Sequence, residues 1–325
     1  MTLDKAWATL QAMTKTLQSP LRPDDAPQRR YTLAGQIIDA ARLSPGLHIV
    51  ATPIGNLGDI TLRALEALAG ADVIACEDTR VTRKLLDRYA IATSLMPYHE
   101  HNATKARPLL LRRLADGASV ALASDAGTPL VSDPGFKLVR AAALAGHAVT
   151  ALPGPSAVLA GLTVAGLPTD QFFFAGFLPP KEAARRSRIA ELSRIPATLV
   201  LFESGPRVAA TLADLAAGLG QTREAALCRE LTKLHEEVRR GELAALAVAY
   251  AGTEPRGEIV LVIAPPQAQE QISVAGTERL LRDALARLSL KDAVAEVADA
   301  TGLPRREVYQ SALALTKGPD DGAPR

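Results

Sequence analysis

Three loops rich in glycine and proline, each placed directly after a short apolar run, constrain the fold of this chain most. The runs cover residues 47–52, 120–123 and 148–152, and the loops that follow them read PIGNLGD, SDAGTPLVSDPG and PGPS. Apolar runs of this length, separated by helical patterns, are typical of buried parallel strands. Ligands of such sheets bind just past the carboxyl ends of the strands. Because glycine permits close approach of the backbone and proline stiffens a loop, the sequence predicts a small-molecule site built mostly from backbone.

Strand and helix patterns alternate along the first half of the chain. Strands are predicted at 47–52, 73–77, 94–98, 120–124 and 148–152, with helices at 60–68, 79–89, 105–116, 136–145 and 156–165. Further strands are predicted at 198–202, 225–228 and 259–263. The order in the first half predicts a mainly parallel sheet, and the whole chain is predicted to have an α/β fold made of two βα-repeat domains with the functional cleft between them.

Proline-rich and polar stretches divide the chain into four predicted segments. Residues 1–45 are predicted to be a flexible extension, and 46–176 an α/β domain that carries the ligand-binding loops. The paired prolines at 179 and 180 mark the start of a second α/β domain, 177–268, that completes the cleft. Residues 269–325 are predicted to form a small helical segment like a helix-turn-helix, followed by a disordered tail. That helix pair either caps the second domain or docks on nucleic acid.

Composition excludes several classes of protein. The chain has 325 residues, of which 48% are hydrophobic and 22% charged, as in ordinary soluble globular proteins. No apolar run is long enough to span a bilayer, and the amino terminus lacks the pattern of a secretory signal. Cys76 and Cys228 are far apart within apolar runs and are predicted to be buried free thiols. We therefore expect a cytoplasmic protein without a membrane partner.

Charge and aromatic content argue against a strongly nucleic-acid-binding domain. The formal net charge is only +2, and aromatic residues make up 4% of the chain. The Phe172-Phe173-Phe174 run is predicted to be a buried strand rather than a platform for base stacking. Any RNA would then be held through its phosphates and its shape. Because neither the dinucleotide motif nor the P-loop motif is found in the sequence, NAD and ATP lose support as ligands.

A series of motifs carries a family resemblance from about Leu47 to Pro266. In chain order they are TPIGNLGDIT, ACEDTRVTRKLL, YHEHN, SDAGTPLVSDPG, PGPSA, FESGPRV and CRELTKLHEE. Together they resemble the tetrapyrrole-methylase-like (class III) methyltransferases that depend on S-adenosylmethionine. Within that superfamily they are most similar to the family that methylates the ribose 2′-oxygen of a cytidine in the decoding region of 16S rRNA. The resemblance implies S-adenosylmethionine as cofactor, 16S rRNA within the 30S subunit as partner, and a homodimer.

The resemblance also implies which residues hold the cofactor. They are Pro53, Gly55, Asp125, Ala126, Gly127, Thr128, Ser132, Ser156, Phe202, Glu203, Pro255 and Gly257. Loops rich in Gly, Pro, Ser and Thr can supply the backbone hydrogen bonds and the apolar slot that this cofactor needs. For each glycine and proline, simple turn geometry is an equal alternative.

The EDTR segment follows a predicted strand and opens a helix. By resemblance, Glu77, Asp78 and Arg80 face the cleft and contact substrate, and the planar guanidinium of Arg80 suits phosphate oxygens. Helix capping by Asp78 and a structural ion pair are the competing interpretation.

The YHEHN and RELTKLHEE segments supply the candidate acid–base groups. His99, Lys233 and His235 are the predicted catalytic residues, because each could orient or deprotonate a ribose hydroxyl. The predicted substrate contacts in these segments are His101, Asn102, Arg229 and Glu230. A metal is not predicted, since the two histidines lack a third ligand at suitable spacing. An ion-paired surface is the alternative for the second segment.

Two other functions compete with an rRNA methyltransferase. One is a methyltransferase of the same fold that acts on a tetrapyrrole or another small molecule, which the low net charge leaves open. The other is a non-catalytic regulator that binds nucleic acid through the terminal helix pair. The full set of loop motifs argues against the second, because a binding module needs no cofactor cleft.

Overall fold

The structure, a computed structural model, describes residues 29–132, 135–266, 274–301 and 303–317. The predicted disordered tail beyond residue 317 and the first 28 residues of the predicted extension lie outside the described residues. No helix of the described part is long and apolar enough to cross a membrane.

A β-hairpin precedes the first domain and packs against it. Strand β1 (Arg30–Leu33) pairs antiparallel with β2 (Gln36–Asp39). The Arg29 side chain donates a hydrogen bond of 2.8 Å to Asp72, and the N–H of Thr32 donates to the Tyr89 carbonyl at 2.7 Å. These contacts hold the hairpin against the first sheet and its helices, within the stretch up to residue 45 for which the sequence predicts a flexible extension.

The first sheet has five parallel strands. They are β3 (Gly46–Val50), β4 (Val73–Cys76), β5 (Leu95–Pro97), β6 (Ser119–Ala123) and β7 (Val149–Leu152), in the spatial order β5-β4-β6-β3-β7. The predicted strands of this half and their parallel pairing are confirmed. The carboxyl ends of the strands therefore meet at one edge, where the loops identified in the sequence emerge.

Helices cover both faces of the first sheet. They are α1 (Leu62–Gly70), α2 (Thr79–Arg88), α3 (Ala103–Ala115) and α4 (Phe136–Leu144). The hairpin, α1 and α2 share one apolar core with one face, and α3 and α4 share another core with the opposite face. Burial on both faces explains why these strands are continuous apolar runs.

The second sheet is mixed rather than mainly parallel. Its strands are β8 (Phe172–Phe177), β9 (Thr198–Ser204), β10 (Glu224–Arg229), β11 (Glu237–Glu242) and β12 (Glu258–Ile263), in the order β11-β10-β12-β9-β8. Only β8 and β9 pair in parallel. The other pairings are antiparallel, because β10 and β11 form a hairpin and β12 inserts between β10 and β9.

The second sheet also has a helical layer on each face. Helices α6 (Glu182–Leu192), α7 (Gly205–Leu219) and α8 (Leu243–Tyr250) pack on one face. The other face is covered by α5 (Ala157–Ala165), which precedes β8 in the chain. By sheet membership, both α5 and β8 belong with the second half, although the predicted domain boundary, between residues 176 and 177, lies after α5 and within β8. The four-segment division of the chain stays a prediction.

Strand β8 has exposed phenylalanines. Phe172 is 44% exposed and Phe173 is 37% exposed, because β8 is an edge strand. A strand is confirmed at this position, but the prediction that it is buried is wrong for the single chain.

Three helices form a separate carboxy-terminal unit. They are α9 (Val274–Leu285), α10 (Leu290–Thr301) and α11 (Arg305–Lys317). Their apolar core contains only residues of this unit, such as Leu281, Val297 and Val308. The two predicted helices of this segment are α10 and α11, and α9 is an additional one.

Candidate active site

A cavity of about 370 Å³ lies between the two sheets, at the carboxyl ends of β3, β6 and β7. Its walls come from both halves of the molecule: Ile54, 125–128, 131, 132 and 156 from the first, and 157, 158, 177, 202–204, 228, 231 and 257–260 from the second. A cavity of this size, with apolar walls and a few polar groups, is typical of a small-molecule site.

The loops of the first half lock one another in place around this cavity. Thr52 and Gly127 exchange two backbone hydrogen bonds of 2.9 Å, which form an isolated antiparallel bridge. The hydroxyl of Thr128 donates to the Pro155 carbonyl at 3.1 Å. These contacts join all three glycine- and proline-rich loops. Gly127 has a φ of +80°, a conformation that glycine adopts without strain.

Most of the predicted cofactor residues line the cavity. They are Asp125, Ala126, Gly127, Thr128, Ser132, Ser156, Phe202, Glu203 and Gly257. Pro53, Gly55 and Pro255 do not line it. Instead, the Pro255 carbonyl lies against Gly205 at the start of α7, and Gly55 lies against Lys233.

The carboxylate of Glu203 forms its contacts with residues of the second half. It is fully buried and accepts hydrogen bonds from the Ser204 N–H at 2.8 Å and from the Thr211 hydroxyl at 2.6 Å. The Arg207 guanidinium lies 3.4 Å away. Glu203 thus lines the cavity while its carboxylate fixes the start of α7.

Lys233 lies at the rim of the cavity between two carboxylates. Its Nζ donates to Glu230 at 2.7 Å and to Glu258 at 2.9 Å, and Glu258 itself lines the cavity. Burial alone would lower the pKa of Lys233, but these two hydrogen bonds outweigh burial and hold the pKa above its usual value. The hydrogen bond from Lys233 likewise lowers the pKa of Glu230. Lys233 is therefore a cation at neutral pH, and in this arrangement it is a donor rather than a base.

Two glycines make this arrangement possible. A Cβ on Gly257 would lie 2.4 Å from the Glu230 carboxyl carbon, and a Cβ on Gly55 would lie 2.4 Å from Cγ of Lys233. The Glu230–Lys233 turn therefore sits directly on one loop from each half of the molecule. Glu230 itself has a φ of +51°, which is unusual for a residue with a side chain.

The EDTR segment lies beside the SDAG loop, because β4 and β6 are neighbours. The N–H of Asp78 donates to Asp125 Oδ1 at 3.0 Å. Asp78 also caps α2 by accepting from the Arg80 N–H at 2.8 Å, and its carboxylate pairs with the Arg80 guanidinium at 2.6 Å. These contacts lower the pKa of Asp78 to about 2. The structural interpretation thus accounts for Asp78, while the largely exposed Arg80 can still reach a ligand.

Glu77 and His99 belong to the same corner of the cleft. Burial and the Asp125 charge raise the pKa of Glu77, and His99 partly opposes that shift. Nδ1 of His99 is buried without a hydrogen-bond partner among the described residues. Asn102 fixes the turn, because it accepts from the His99 N–H and donates to the Pro97 carbonyl, both at 2.9 Å. His101 is exposed, and its ring centroid lies 6.0 Å from that of His99.

The remaining predicted residues lie outside the cavity lining. Arg229 pairs with Glu237 at 3.0 Å and donates to the Arg256 carbonyl. His235 is exposed, next to the 92% exposed Leu234 at the tip of its turn. Within the described ranges, no group of three or more His, Cys, Asp or Glu residues could hold a metal ion.

Several residues that line the cavity were not among the predicted site residues. Cys228, Leu231 and Val260 line it as parts of the second sheet and its following turn. Glu258, which follows Gly257 in a segment that the resemblance places at the cleft, also lines the cavity and holds Lys233.

Family models match most of the chain. A model of Tetrapyrrole (Corrin/Porphyrin) Methylases matches residues 46–247, and a model of the RsmI C-terminal HTH domain matches residues 271–316. The second match covers all three carboxy-terminal helices.

Curated relatives are similar over nearly their whole length. A protein of Mesorhizobium japonicum named ribosomal RNA small subunit methyltransferase I is 52% identical over 288 residues, which are 88% of this chain and 98% of that protein. A protein of the same name from Pseudomonas aeruginosa is 45% identical over 271 residues, with 82% and 96% covered.

Solved structures share the fold at low sequence identity. The methyltransferase CobJ aligns with a TM-score of 0.52 at 20% identity and covers 68% of this chain and 95% of its own. Cobalt precorrin-4 methyltransferase aligns with a TM-score of 0.51 at 16% identity, with 67% and 94% covered. At this level of identity these neighbours establish the fold alone. The sequence matches go further: the chain belongs to the tetrapyrrole methylase family of S-adenosylmethionine-dependent enzymes, and within it to the ribosomal RNA small subunit methyltransferase I group.

Proposed function

We propose that this chain transfers a methyl group from S-adenosylmethionine to the ribose 2′-oxygen of a cytidine in the decoding region of 16S rRNA. The observation that carries the proposal is the cavity between the halves, around which loops of both halves converge. The names of the relatives, with high identity over nearly the whole chain, supply the class of substrate.

The residues around the cavity fit the proposed cofactor. Ile54, Val158 and Phe202 form apolar walls for an adenine ring, with Phe202 braced by Phe174 at 4.9 Å between ring centroids. Gly127 and Gly257 carry no side chain, so they line the cavity with backbone groups. Asp125 and the Thr128 and Ser132 hydroxyls supply polar groups for the ribose and amino acid ends. When bound, S-adenosylmethionine supplies an electrophilic methyl group on sulfur.

The residues at the rim would orient the ribose hydroxyl and receive its proton. Lys233, held as a cation by Glu230 and Glu258, is suited to donate a hydrogen bond to a ribose or phosphate oxygen. His99 is suited to accept the hydroxyl proton, because its Nδ1 has no other partner in the described structure. His235 is the alternative base from the second half. Alignment of the reacting groups would contribute up to roughly 7–11 kcal/mol, and a base about a hundred- to ten-thousand-fold in rate.

The remaining assigned contacts complete the substrate side of the proposal. Glu77, Arg80 and His101 would approach the RNA from the first half. Asp78 and Asn102 would hold the loops that present them. From the second half, Arg229 would approach the RNA, and Glu230 would hold Lys233 in place.

The test uses tritiated S-adenosylmethionine with purified protein. The acceptors are 30S subunits from a strain lacking this protein, free 16S rRNA and a tetrapyrrole precursor. We expect label in 16S rRNA that survives alkaline hydrolysis as an uncleaved dinucleotide, which identifies a 2′-O-methyl group. Label in the tetrapyrrole alone would contradict the proposal that 16S rRNA is the substrate. Absence of transfer to every acceptor, despite cofactor binding, would contradict it as well.

We propose that the protein acts as a homodimer in the cytoplasm, where ribosomal subunits are found. Exposed apolar side chains on the two edge strands support the dimer, namely Val149 on β7 with Phe172, Phe173 and Phe177 on β8. Light scattering after gel filtration should give twice the mass of one chain. The double variant Phe172→Glu/Phe173→Glu should give one chain mass, and a monomeric wild type would contradict the proposal.

A further inference from the structure

A second cavity, of about 150 Å³, lies between the start of α3 and the start of α4, on the first sheet. We call it the α3–α4 cavity; it is lined by Tyr98, Glu100, Ala103, Thr104, Arg107, Gly135, Phe136 and Lys137. It adjoins both the YHEHN turn and the end of the SDAGTPLVSDPG loop. Ser132, in that same loop, lines the larger cavity. A ligand in the α3–α4 cavity would thus lie next to the active site without entering it.

Tyr98 supplies a polar group to this cavity. The residue is only 2% exposed and lines the cavity, and no residue of the described structure forms a hydrogen bond with its hydroxyl. The Arg107 guanidinium is close enough to influence the pKa of Tyr98 and forms no ion pair of its own in the described ranges. A hydroxyl and a guanidinium without protein partners, on two residues that line the same cavity, favour an anionic ligand with several acceptor oxygens.

The other walls suit a phosphate with an attached base. Helix α4 begins at Phe136 without a side-chain cap, so its first N–H groups are open to an anion. Lys137 contributes a second cation, which Glu100 contacts only loosely at 3.8 Å. The Phe136 ring is 62% exposed, which leaves its face open to stacking. Gly135, at φ +138°, permits this sharp entry into the helix.

We propose that the α3–α4 cavity binds a phosphate of the rRNA next to the target nucleotide, and that the flanking base stacks on Phe136. This inference rests on the proposed function, since it assigns a second contact for the same RNA. A phosphate held in the α3–α4 cavity would fix the path of the RNA strand. The target ribose would then be placed beside Lys233 and His99.

The test compares Arg107→Ala with Arg112→Ala, which changes an exposed arginine on the same helix outside the lining of the α3–α4 cavity. With 30S subunits, Arg107→Ala should raise KM about tenfold at unchanged cofactor affinity, because a charge-assisted hydrogen bond is lost. Tyr98→Phe, which preserves the packing, should raise KM about threefold. Equal KM values for the Arg107 and Arg112 variants would overturn the proposal.

RNA binding without turnover separates this inference from the proposed function. The probe is an RNA oligonucleotide with the decoding-region sequence, measured by filter binding at several salt concentrations. Loss of one phosphate contact should lower the slope of log affinity against log salt by about 0.7–0.9 in Arg107→Ala. An unchanged slope would overturn the subsite even if the wild type methylates rRNA. A lowered slope would support it even if the methylated position proves to be another one.

Inorganic phosphate distinguishes RNA from a free anion as the ligand. At constant ionic strength, millimolar phosphate should compete weakly with the oligonucleotide in the wild type and not at all in Arg107→Ala. If phosphate binds the wild type tightly but the wild type and Arg107→Ala have the same affinity for the oligonucleotide, the cavity is a free-anion site and the proposal is wrong.

Discussion

Lys233 is held between Glu230 and Glu258, and its charge state follows from that position. Its pKa is raised, so its contribution to the stability of the folded state is fully present below the ordinary lysine pKa and is lost as pH rises through the folded-state value. The pKa of Glu230 is lowered, so its contribution to stability is fully present above the ordinary glutamate pKa and is lost as pH falls through the folded-state value. Between about pH 5 and pH 10 both groups stay charged.

We therefore expect Lys233→Met to lower kcat about a hundredfold without altering the shape of the pH–rate profile between about pH 6 and pH 9. Lys233→Arg, which keeps the charge, should retain more activity. Single-turnover methyl transfer to 30S subunits measures both. Disappearance of an ionisation from the profile of the methionine variant would instead identify Lys233 as the base.

Glu203 provides a residue-level test of stability. Its buried carboxylate contacts Ser204, Thr211 and Arg207, so Glu203→Ala leaves Arg207 without its carboxylate partner. We expect a loss of about 3 kcal/mol in the free energy of unfolding, measured with urea. Glu203→Gln should lose less, because an amide oxygen still accepts from Ser204 or Thr211, and it should bind cofactor like the wild type. A large loss of cofactor affinity in Glu203→Gln would show that the carboxylate contacts the ligand directly.

At the scale of elements, the loop between α8 and β12 contains two glycines that share a positive φ but differ in what surrounds them. Both adopt a positive φ, +69° at Gly252 and +99° at Gly257. A Cβ on Gly252 would meet open space, whereas one on Gly257 would collide with Glu230. The two positions therefore separate backbone strain from loss of the Glu230–Lys233 contact.

Gly252→Ala should lose about 1–2 kcal/mol of stability and keep its methyltransferase rate. Gly257→Ala should lose a similar amount of stability and about tenfold or more in kcat, because Glu230 can no longer approach the loop. Thermal unfolding and methyl transfer are measured on both. Equal activity of the two variants would mean that the position of Glu230 is unimportant for the reaction.

The sequence predicts some elements well and others poorly, for physical reasons. The strands of the first sheet are buried on both faces, so their apolar runs stand out. Strand β11 (EVRRGE) escapes prediction because it is an edge strand of polar and charged residues. The glycine- and proline-rich loops predict the position of the cavity, since loop composition reflects backbone geometry. They do not predict where the Glu203 carboxylate points, because that depends on Thr211 and Arg207, which lie further along the chain.

At the scale of the whole molecule, the carboxy-terminal helices and the cleft have separate apolar cores. The core of α9, α10 and α11 shares no buried residue with the cores that build the cavity. A chain ending at Pro266 should therefore bind S-adenosylmethionine with unchanged affinity in calorimetry. Its kcat/KM on 30S subunits should fall about tenfold or more if these helices contribute even one good RNA contact. Unchanged kcat/KM would exclude them from substrate recognition.

Helix α5 connects the first sheet to the second and packs on the second, with Gly161 so close to Val260 that a Cβ would lie 2.8 Å from its Cγ1. The same apolar core includes Ile54 from the opposite half. A hinge motion that separated the halves would expose Ile54 and its apolar neighbours to water. We therefore expect no hinge opening of the enzyme. Ligands must enter through a preformed mouth, with adjustment limited to the loops around it. Solution scattering should accordingly give the same radius of gyration with and without S-adenosylmethionine.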